Sequence, residues 1–308
     1  MPHPVRRPRS WPLLFAVLIT FTLLLPTLIP TAHAQDSTKV VQSDTLPPGA
    51  RVLKDIAYVA HGHARQKLDL YLPAESEKPR PLIIFIHGAT FRDGDKADVP
   101  ALRYVRQGYA IASVNYRLSQ DAVFPAQIED CKAAVRYLRA NAGTYRLDPD
   151  HFGVWGISAG GYLAAMLGTA GDRTEWDGVG GYRDVSSRVQ AVVDWYGPTD
   201  FLQMDAHRTP TGVVHDAPDS PESQLIGGPI QEHPDLVADA NPAAYATADD
   251  PPFVIVHGLD DPLVPHHQSL LLFDALLGVG NNAALLTLLG QGHGGEAFDT
   301  PEIIRAMD

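Results

Sequence analysis

A serine within a glycine-flanked turn is the residue of this sequence best placed for covalent catalysis. Ser158 is the centre of residues 156–160, Gly-Ile-Ser-Ala-Gly, which match the pattern G-x-S-x-G. The apolar segment 152–155 before it is typical of a strand, and the segment 162–167 after it is typical of a helix. A strand, a sharp turn and a helix form the context that lifts a serine hydroxyl above the edge of a sheet. We therefore predict that Ser158 is a nucleophile.

A serine hydroxyl needs a base at neutral pH, and the base needs a group that orients it. In folds with this turn the chain order is serine, acid and then histidine. Asp260 and Asp261 follow the apolar strand-like segment 253–256, and their spacing alone does not separate them. His293 lies between glycines after the apolar run 284–289, where it is free to reach the serine. These residues predict a Ser-His-Asp triad.

The other histidines and the single cysteine favour structural roles. His257 is a rival base, but it ends a buried strand, so we expect a histidine with satisfied hydrogen bonds. Cys131 lies on the apolar face of a helical pattern, as a small buried hydrophobic residue does, and one cysteine permits no intramolecular disulfide. Two histidine pairs have no carboxylate or cysteine at ligand spacing, so we expect exposed loop residues and no metal. These pairs are His61 with His63 and His266 with His267.

Acyl transfer also requires N–H donors for the negatively charged oxygen that develops on the acyl carbon. One donor is expected from Ala159, directly after the nucleophile. The other is expected from the loop after the apolar strand 82–86, where Gly88, Ala89 and Thr90 remain alternatives. Chemistry of this kind needs no cofactor.

Strand-like and helix-like segments alternate along the chain. Residues 67–72 alternate in polarity with period two, as a half-buried strand does. The continuous apolar runs 82–86, 110–114 and 253–256 are typical of parallel strands buried on both faces. The clearest helical pattern lies between two of these runs, at 126–140. The alternation predicts an α/β fold with a mainly parallel, doubly wound sheet.

Residues 198–250 interrupt this alternation, because they are rich in Pro, Asp and His and have weak periodicity. Long insertions in α/β folds lie above the carboxyl ends of the strands, where ligands bind, so we predict a lid or insertion here. Its apolar side chains suit either an acyl slot or packing against the domain, and the pattern does not choose between them. They are Phe201, Leu202, Leu225 and Ile226.

The first 34 residues are typical of a signal peptide. Three arginines near the start precede the apolar stretch 11–29, and Ala-His-Ala at 32–34 is a cleavage site. We expect cleavage before Gln35 and a secreted or periplasmic protein, with an uncleaved membrane anchor as the alternative. Residues 35–50 are polar and predict a linker, which leaves 51–308 as the catalytic domain.

The formal net charge of −12 limits the classes of partner that the protein is expected to bind. A strongly acidic surface repels nucleic acid and anionic membranes. We therefore expect no nucleic-acid partner and no stable membrane association after signal cleavage. A small-molecule or polysaccharide-linked ester is the expected substrate.

Four motifs occur in a fixed order along the chain: His87-Gly88-Ala89-Thr90-Phe91, Asn115-Tyr116-Arg117-Leu118, Gly156-Ile157-Ser158-Ala159-Gly160-Gly161 and Asp194-Trp195-Tyr196-Gly197. Together they resemble the hormone-sensitive-lipase-like esterases, in particular the bacterial group related to feruloyl and acetyl-xylan esterases. The likeness extends from about residue 67 to residue 295 and implies an α/β-hydrolase fold.

The resemblance also bears on the site. The acid motif of the family is H-G-x-x-D-x-x-V-P, which residues 257–265 match with the acid at Asp261, and this implies Asp261 rather than Asp260. The family usually has H-G-G after the early strand, whereas here Ala89 stands in place of the second glycine. A left-handed backbone at that position costs about 1 kcal/mol with a Cβ.

The sequence thus predicts a secreted carboxylesterase that cleaves short acyl or aromatic-acyl esters through an acyl-enzyme on Ser158. The alternative enzyme is a serine peptidase of the prolyl-oligopeptidase type, but such proteins usually carry a large N-terminal propeller, and only a short segment precedes the first strand here. A binding module that kept the fold is a third hypothesis, which the filled triad positions disfavour.

Overall fold

The computed structural model describes residues 46–75 and 77–307. The predicted signal peptide, 1–34, and most of the predicted linker lie outside these residues. Within the described ranges, no helix is both long enough and apolar enough to cross a membrane.

The described residues contain one sheet of eight strands. The strands are β1 (Arg51–Ala57), β2 (Lys67–Leu72), β3 (Arg80–Ile86), β4 (Ala110–Val114), β5 (Leu147–Ile157), β6 (Ala191–Trp195), β7 (Phe253–Gly258) and β8 (Ala283–Leu288). Their order in space is β1-β2-β4-β3-β5-β6-β7-β8. β2 runs antiparallel to both β1 and β4, and all other neighbours are parallel. The predicted α/β-hydrolase fold is confirmed.

Helices cover both faces of the sheet. The α-helices are α1 (Ala126–Ala140), α2 (Ala142–Tyr145), α3 (Ala159–Thr169), α4 (Met204–His207), α5 (Pro221–Ile226), α6 (Pro234–Asp239), α7 (His267–Gly278) and α8 (Pro301–Met307). Short 3₁₀ helices occupy Pro100–Gln107, Thr174–Trp176, Phe201–Gln203, Ile230–Glu232, Pro242–Tyr245 and Glu296–Asp299.

The centre of the sheet is buried on both faces, as its continuous apolar strands predict. Every residue of β4 is buried. One core lies on the face that α1, α3 and α7 cover, and a smaller core lies on the other face against the 3₁₀ helix Pro100–Gln107 and α8. All of α3 is buried, and it is apolar around its whole circumference, as a central helix should be.

A glycine allows the close packing of α3 on the sheet. A Cβ at Gly168 would lie 2.4 Å from the ring of Phe253, so a larger residue here would push α3 away from β7. The C-terminal end of α3 can therefore lie close against the sheet.

Residues 198–250 form short helices rather than a long lid helix. Three of the four apolar candidates for an acyl slot are buried in the main core, namely Phe201, Leu225 and Ile226, and Leu202 packs beside them. The ring of Phe201 lies 5.4 Å from that of Tyr162 on α3. These side chains pack the insertion against the domain. Of the two alternatives, an acyl slot or packing against the domain, the structure therefore shows the second.

The remaining structural expectations have mixed outcomes. Cys131 is buried, and His61 and His63 are exposed, as predicted. The prediction of a loop is wrong for the other pair, because His267 is the first residue of α7 and His266 its N-cap. The ring of His267 stacks on that of His207, with centroids 3.5 Å apart.

Candidate active site

The turn between β5 and α3 places Ser158 at the carboxyl edge of the sheet. Its backbone has φ 54° and ψ −122°, a conformation that residues with a Cβ rarely adopt. Glycines make room for it: a Cβ at Gly156 would lie 1.9 Å from the carbonyl oxygen of Gly160. A Cβ at Gly160 would lie 2.1 Å from the carbonyl oxygen of Ile86. The glycine spacing of the motif is thus a packing requirement of this turn.

The structure brings together the three side chains that the sequence predicts for catalysis. His293 Nε2 lies 2.9 Å from Ser158 Oγ, and His293 Nδ1 lies 2.6 Å from Asp261 Oδ2. The side chain of Asp261 is fully buried, whereas Asp260 is exposed. In this arrangement the serine O–H donates to Nε2, and the Nδ1–H of the imidazole donates to the carboxylate.

Backbone amides and two imidazoles keep Asp261 ionised. Its Oδ1 accepts hydrogen bonds from the amides of Leu263, at 2.8 Å, and Val264, at 3.0 Å. Burial opposes the charge, but hydrogen bonds from His257 and His293 outweigh it and hold the pKa of this carboxyl well below its usual range. The carboxylate is therefore negatively charged wherever the protein is folded near neutral pH.

An aromatic side chain to which the sequence analysis assigned no role covers the imidazole of His293. The ring centroid of Tyr196 lies 4.5 Å from that of His293 and 4.9 Å from that of Phe298. The backbone of Tyr196 is left-handed, with φ 45°. This ring restricts the rotation of His293 and keeps Nε2 directed at the serine.

The loop after β3 adopts an unusual backbone beside the nucleophile. Ala89, Thr90 and Phe91 all have positive φ, of 73°, 57° and 61°. A Cβ at Gly88 would lie 3.0 Å from the Cβ of Ser158, so the loop passes directly against the serine. No acceptor among the described residues pairs with the amides of Ala89 and Thr90. The site thus offers unpaired N–H groups next to the hydroxyl.

Hydrogen bonds from neighbouring segments hold this loop in its strained form. Arg65 donates from Nη2 to His87 Nε2 at 3.1 Å and to the carbonyl of Gly94 at 3.0 Å. The hydroxyl of Tyr116 donates to the carbonyl of His87 at 3.1 Å. Burial lowers the pKa of His87 to about 4, so its ring is neutral, accepts from Arg65 and donates from Nδ1 to the carbonyl of Gly88 at 3.0 Å.

A second buried carboxyl lies beneath the turn. Asp194 on β6 accepts a hydrogen bond from the amide of Gly197 at 2.9 Å, and its Oδ2 has no partner among the described residues. A Cβ at Gly161 would lie 2.3 Å from Asp194 Oδ1, so this carboxyl contacts the first turn of α3. Burial raises the pKa of Asp194 to about 7. One donor is too few to hold its charge.

No group of three or more His, Cys, Asp or Glu side chains arranged to hold a metal ion occurs in the part of the chain that the structure describes. The chemistry that the observed geometry supports is proton transfer from a serine hydroxyl to an oriented imidazole, next to unpaired backbone amides.

The site and the fold have counterparts in other proteins. A model of the BD-FAE family matches residues 68–276. Esterase LipC of Mycobacterium tuberculosis is 31% identical over 227 residues, which cover 72% of this chain and 55% of that protein. The chain spans about half the length of the curated relatives it matches.

Two solved structures are similar along most of their length. A truncated form of a carbohydrate esterase from gut microbiota aligns with a TM-score of 0.76 and 33% identity, covering 83% of this chain and 93% of that one. An acetyl ester-xyloside bifunctional hydrolase from Caldicellulosiruptor lactoaceticus aligns with a TM-score of 0.65 and 26% identity, covering 85% and 94%.

The raised pKa of Asp194 predicts a pH-dependent stability. An acid whose pKa rises from 3.8 to about 7 on folding keeps its proton in the folded state, so the free energy of unfolding falls as pH increases between these values. Asp194→Asn removes the ionisation. Across this window, the free energy of unfolding of the variant should rise relative to that of wild type by about 1.4 kcal/mol for each pH unit. Urea unfolding at a series of pH values measures this difference.

Asp235→Asn, a substitution of an exposed acid on α6, is the matched control and should leave the pH dependence of wild type unchanged. Parallel stability curves for Asp194→Asn and wild type would contradict the prediction.

Proposed function

The chain belongs to the BD-FAE family, and on that premise we propose that it hydrolyses carboxylic esters through Ser158, His293 and Asp261. The observation that carries the proposal is the continuous chain of contacts from Ser158 Oγ through His293 to a buried, ionised carboxylate. The names of the similar proteins, which are esterases, support the same reaction.

In the first half of the reaction, Ser158 Oγ attacks the acyl carbon while His293 Nε2 takes the hydroxyl proton. The carbonyl oxygen becomes an oxyanion, and the N–H groups of Gly88, Ala89 and Ala159 are the donors proposed to stabilise it. Collapse of this intermediate breaks the ester bond, and the imidazolium gives its proton to the departing alcohol. Asp261 stabilises the imidazolium throughout.

In the second half, water attacks the acyl-serine. His293 again accepts the proton, the tetrahedral intermediate forms at the same position, and its collapse returns the proton to Ser158 Oγ. The products are the free acid and the unmodified enzyme, so the cycle closes without a cofactor.

The proposed substrates are short acyl or aromatic-acyl esters, including acetyl esters of carbohydrates. The oxyanion loop is exposed at Ala89 and Thr90, which suits an ester attached to a bulky alcohol. Apolar side chains of the insertion, such as Phe201 and Leu225, are buried in the core instead of lining a long acyl channel. The similar carbohydrate esterase and acetyl ester-xyloside hydrolase support the carbohydrate part of the proposal.

Acyl-chain preference tests the proposed function. We expect p-nitrophenyl acetate and butyrate to be cleaved faster than octanoate and palmitate, and we expect release of acetate from acetylated xylan or of ferulate from methyl ferulate. Ser158→Ala should abolish turnover and labelling by a fluorophosphonate probe, because the nucleophile is lost. A maximum on long-chain esters would identify a lipase, and cleavage of peptide amides without ester hydrolysis would identify a peptidase.

Adjacent aspartates provide a matched test of the acid. Asp261→Asn should reduce kcat by about four orders of magnitude, because the amide no longer selects the tautomer of His293 that accepts the serine proton. Asp260→Asn, an exposed neighbour, is the control and should retain wild-type kinetics. A larger loss in the Asp260 variant would show that Asp260, and not Asp261, is the acid.

We also propose that the protein is exported and acts outside the cytoplasm. The basic start, the apolar stretch 11–29 and the Ala-His-Ala site support export. Protein isolated from the native host should begin at Gln35 in N-terminal sequencing. An intact Met1 in a membrane fraction would instead identify an uncleaved anchor.

A further inference from the structure

Two histidines share one oxygen of the carboxylate in the proposed active site. His293 Nδ1 lies 2.6 Å from Asp261 Oδ2, and His257 Nε2 lies 3.1 Å from the same oxygen. His257 is in β7 and is fully buried, whereas His293 lies at the rim of the site, with its side chain 15% exposed. The inner histidine does not reach the serine, so it cannot exchange with His293 as the base.

The hydrogen-bond partners of His257 fix the position of its proton. Its Nε2 faces two oxygens, Asp261 Oδ2 and the carbonyl of Val264, at 3.1 and 2.9 Å. Neither oxygen carries a proton, because a carbonyl has none and the carboxylate is ionised. The Nε2 atom must therefore carry the hydrogen and donate.

Ser269 secures this tautomer from the other side of the ring. Its hydroxyl lies 2.7 Å from His257 Nδ1, and both side chains are fully buried. In the neutral ring, Nδ1 is the acceptor and the hydroxyl donates to it. The N-terminal part of α7 thus holds the imidazole so that its N–H is directed at Asp261.

From this geometry we propose that His257 is a positioning residue that draws part of the negative charge of Asp261 away from His293, and so sets the basicity of the catalytic imidazole. The inference rests on the proposed function of Ser158, Asp261 and His293. A carboxylate oxygen that accepts a second N–H is a weaker partner for an imidazolium. His257 therefore weakens the hydrogen bond through which Asp261 stabilises the imidazolium of His293.

The other titratable groups near these rings do not supply a competing charge. The ring of His266 lies 5.4 Å from that of His257, and burial lowers the pKa of His266 to about 4. His267, the next residue, has its pKa lowered by burial and by His207. The ring of Tyr196 lies 6.3 Å from His257, and burial raises the pKa of its hydroxyl above the ordinary value. At neutral pH, the charged group in contact with His257 is therefore the carboxylate of Asp261.

Two substitutions at His257 separate the N–H donor from the ring. His257→Leu removes the donor, and we expect the midpoint of the acid limb of kcat/KM to move to higher pH by roughly one unit, with KM unchanged. The Asp261 carboxylate stays in place because the amides of Leu263 and Val264 hold its other oxygen. His257→Gln retains a side-chain N–H near the position of Nε2 and should restore the wild-type midpoint.

Ser269→Ala provides the same test while retaining the buried histidine, because loss of the hydroxyl removes the hydrogen bond at Nδ1 that fixes the orientation of the ring and so weakens the contact between Nε2–H and Asp261. The midpoint should move in the same direction by a smaller amount. Ser187→Ala is the matched control, because Ser187 is also buried and hydrogen-bonded, to the carbonyl of Gly171 at 2.7 Å, but lies in a different part of the fold. It should reproduce the wild-type profile.

Proton NMR gives a readout that needs no substrate. The proton between His293 Nδ1 and Asp261 should resonate far downfield in wild type. It should resonate further downfield in His257→Leu and Ser269→Ala, because the hydrogen bond from His293 to Asp261 becomes stronger when His257 no longer competes for the same oxygen. Folded variants with an unmoved acid limb and an unmoved resonance would overturn the proposal. Turnover that persists in Ser158→Ala would instead overturn the proposed function, whatever the resonance does.

Discussion

The left-handed turn at Ser158 is the constraint on which the arrangement of this site depends. A serine with φ 54° is strained, and it persists only where the surroundings leave the chain no alternative. Here β5 enters the turn from the centre of the sheet and α3 leaves it as a fully buried helix, so neither end can relax. Glycines at 156 and 160 allow backbone atoms to approach where any side chain would collide. The same close approach brings the loop after β3 against the serine and places the amides beside it.

Two buried aspartates show how the number of donors decides the charge on a carboxyl. Asp261 receives two backbone amides and two imidazole N–H groups, and its pKa is held well below the usual range. Asp194, at the same edge of the sheet, receives one amide, and its pKa rises to about 7. Burial acts on both, so hydrogen bonding makes the difference. A negative charge therefore lies behind His293 at neutral pH, while the carboxyl below the nucleophile keeps its proton to a much higher pH than an ordinary aspartate does.

Local patterns predicted the elements well, because each element depends on a short stretch of chain, and the three side chains proposed for catalysis lie together in the structure. The strands 67–72 and 110–114 and the helix 126–140 have the predicted bounds, and the likeness to hormone-sensitive-lipase-like esterases is confirmed. Spacing alone did not separate Asp260 from Asp261, since only the folded loop shows which of them faces the histidine. The apolar residues of the insertion were equally ambiguous, because a buried side chain and a pocket wall have the same composition.

No local sequence pattern predicted the contacts between segments that are distant along the chain. Arg65 reaches His87, and Ser269 reaches His257, from elements whose relative placement the sequence does not state. His257 was correctly expected to be structural, but its contact with Asp261 Oδ2 follows from the sharp loop after β7, which turns the carboxylate back over the strand.

The strain in the loop after β3 connects these long-range contacts to function. Three successive residues with a Cβ, Ala89 to Phe91, have left-handed backbones, and each such residue costs about 1 kcal/mol or more. Arg65 and Tyr116 offset that cost by binding the ends of the loop to the core. The amides beside Ser158 are thus fixed before a substrate arrives, which is the condition under which backbone dipoles stabilise an oxyanion most strongly. The outer side of the loop remains exposed at Ala89 and Thr90, which leaves space for the alcohol portion of the proposed ester substrate.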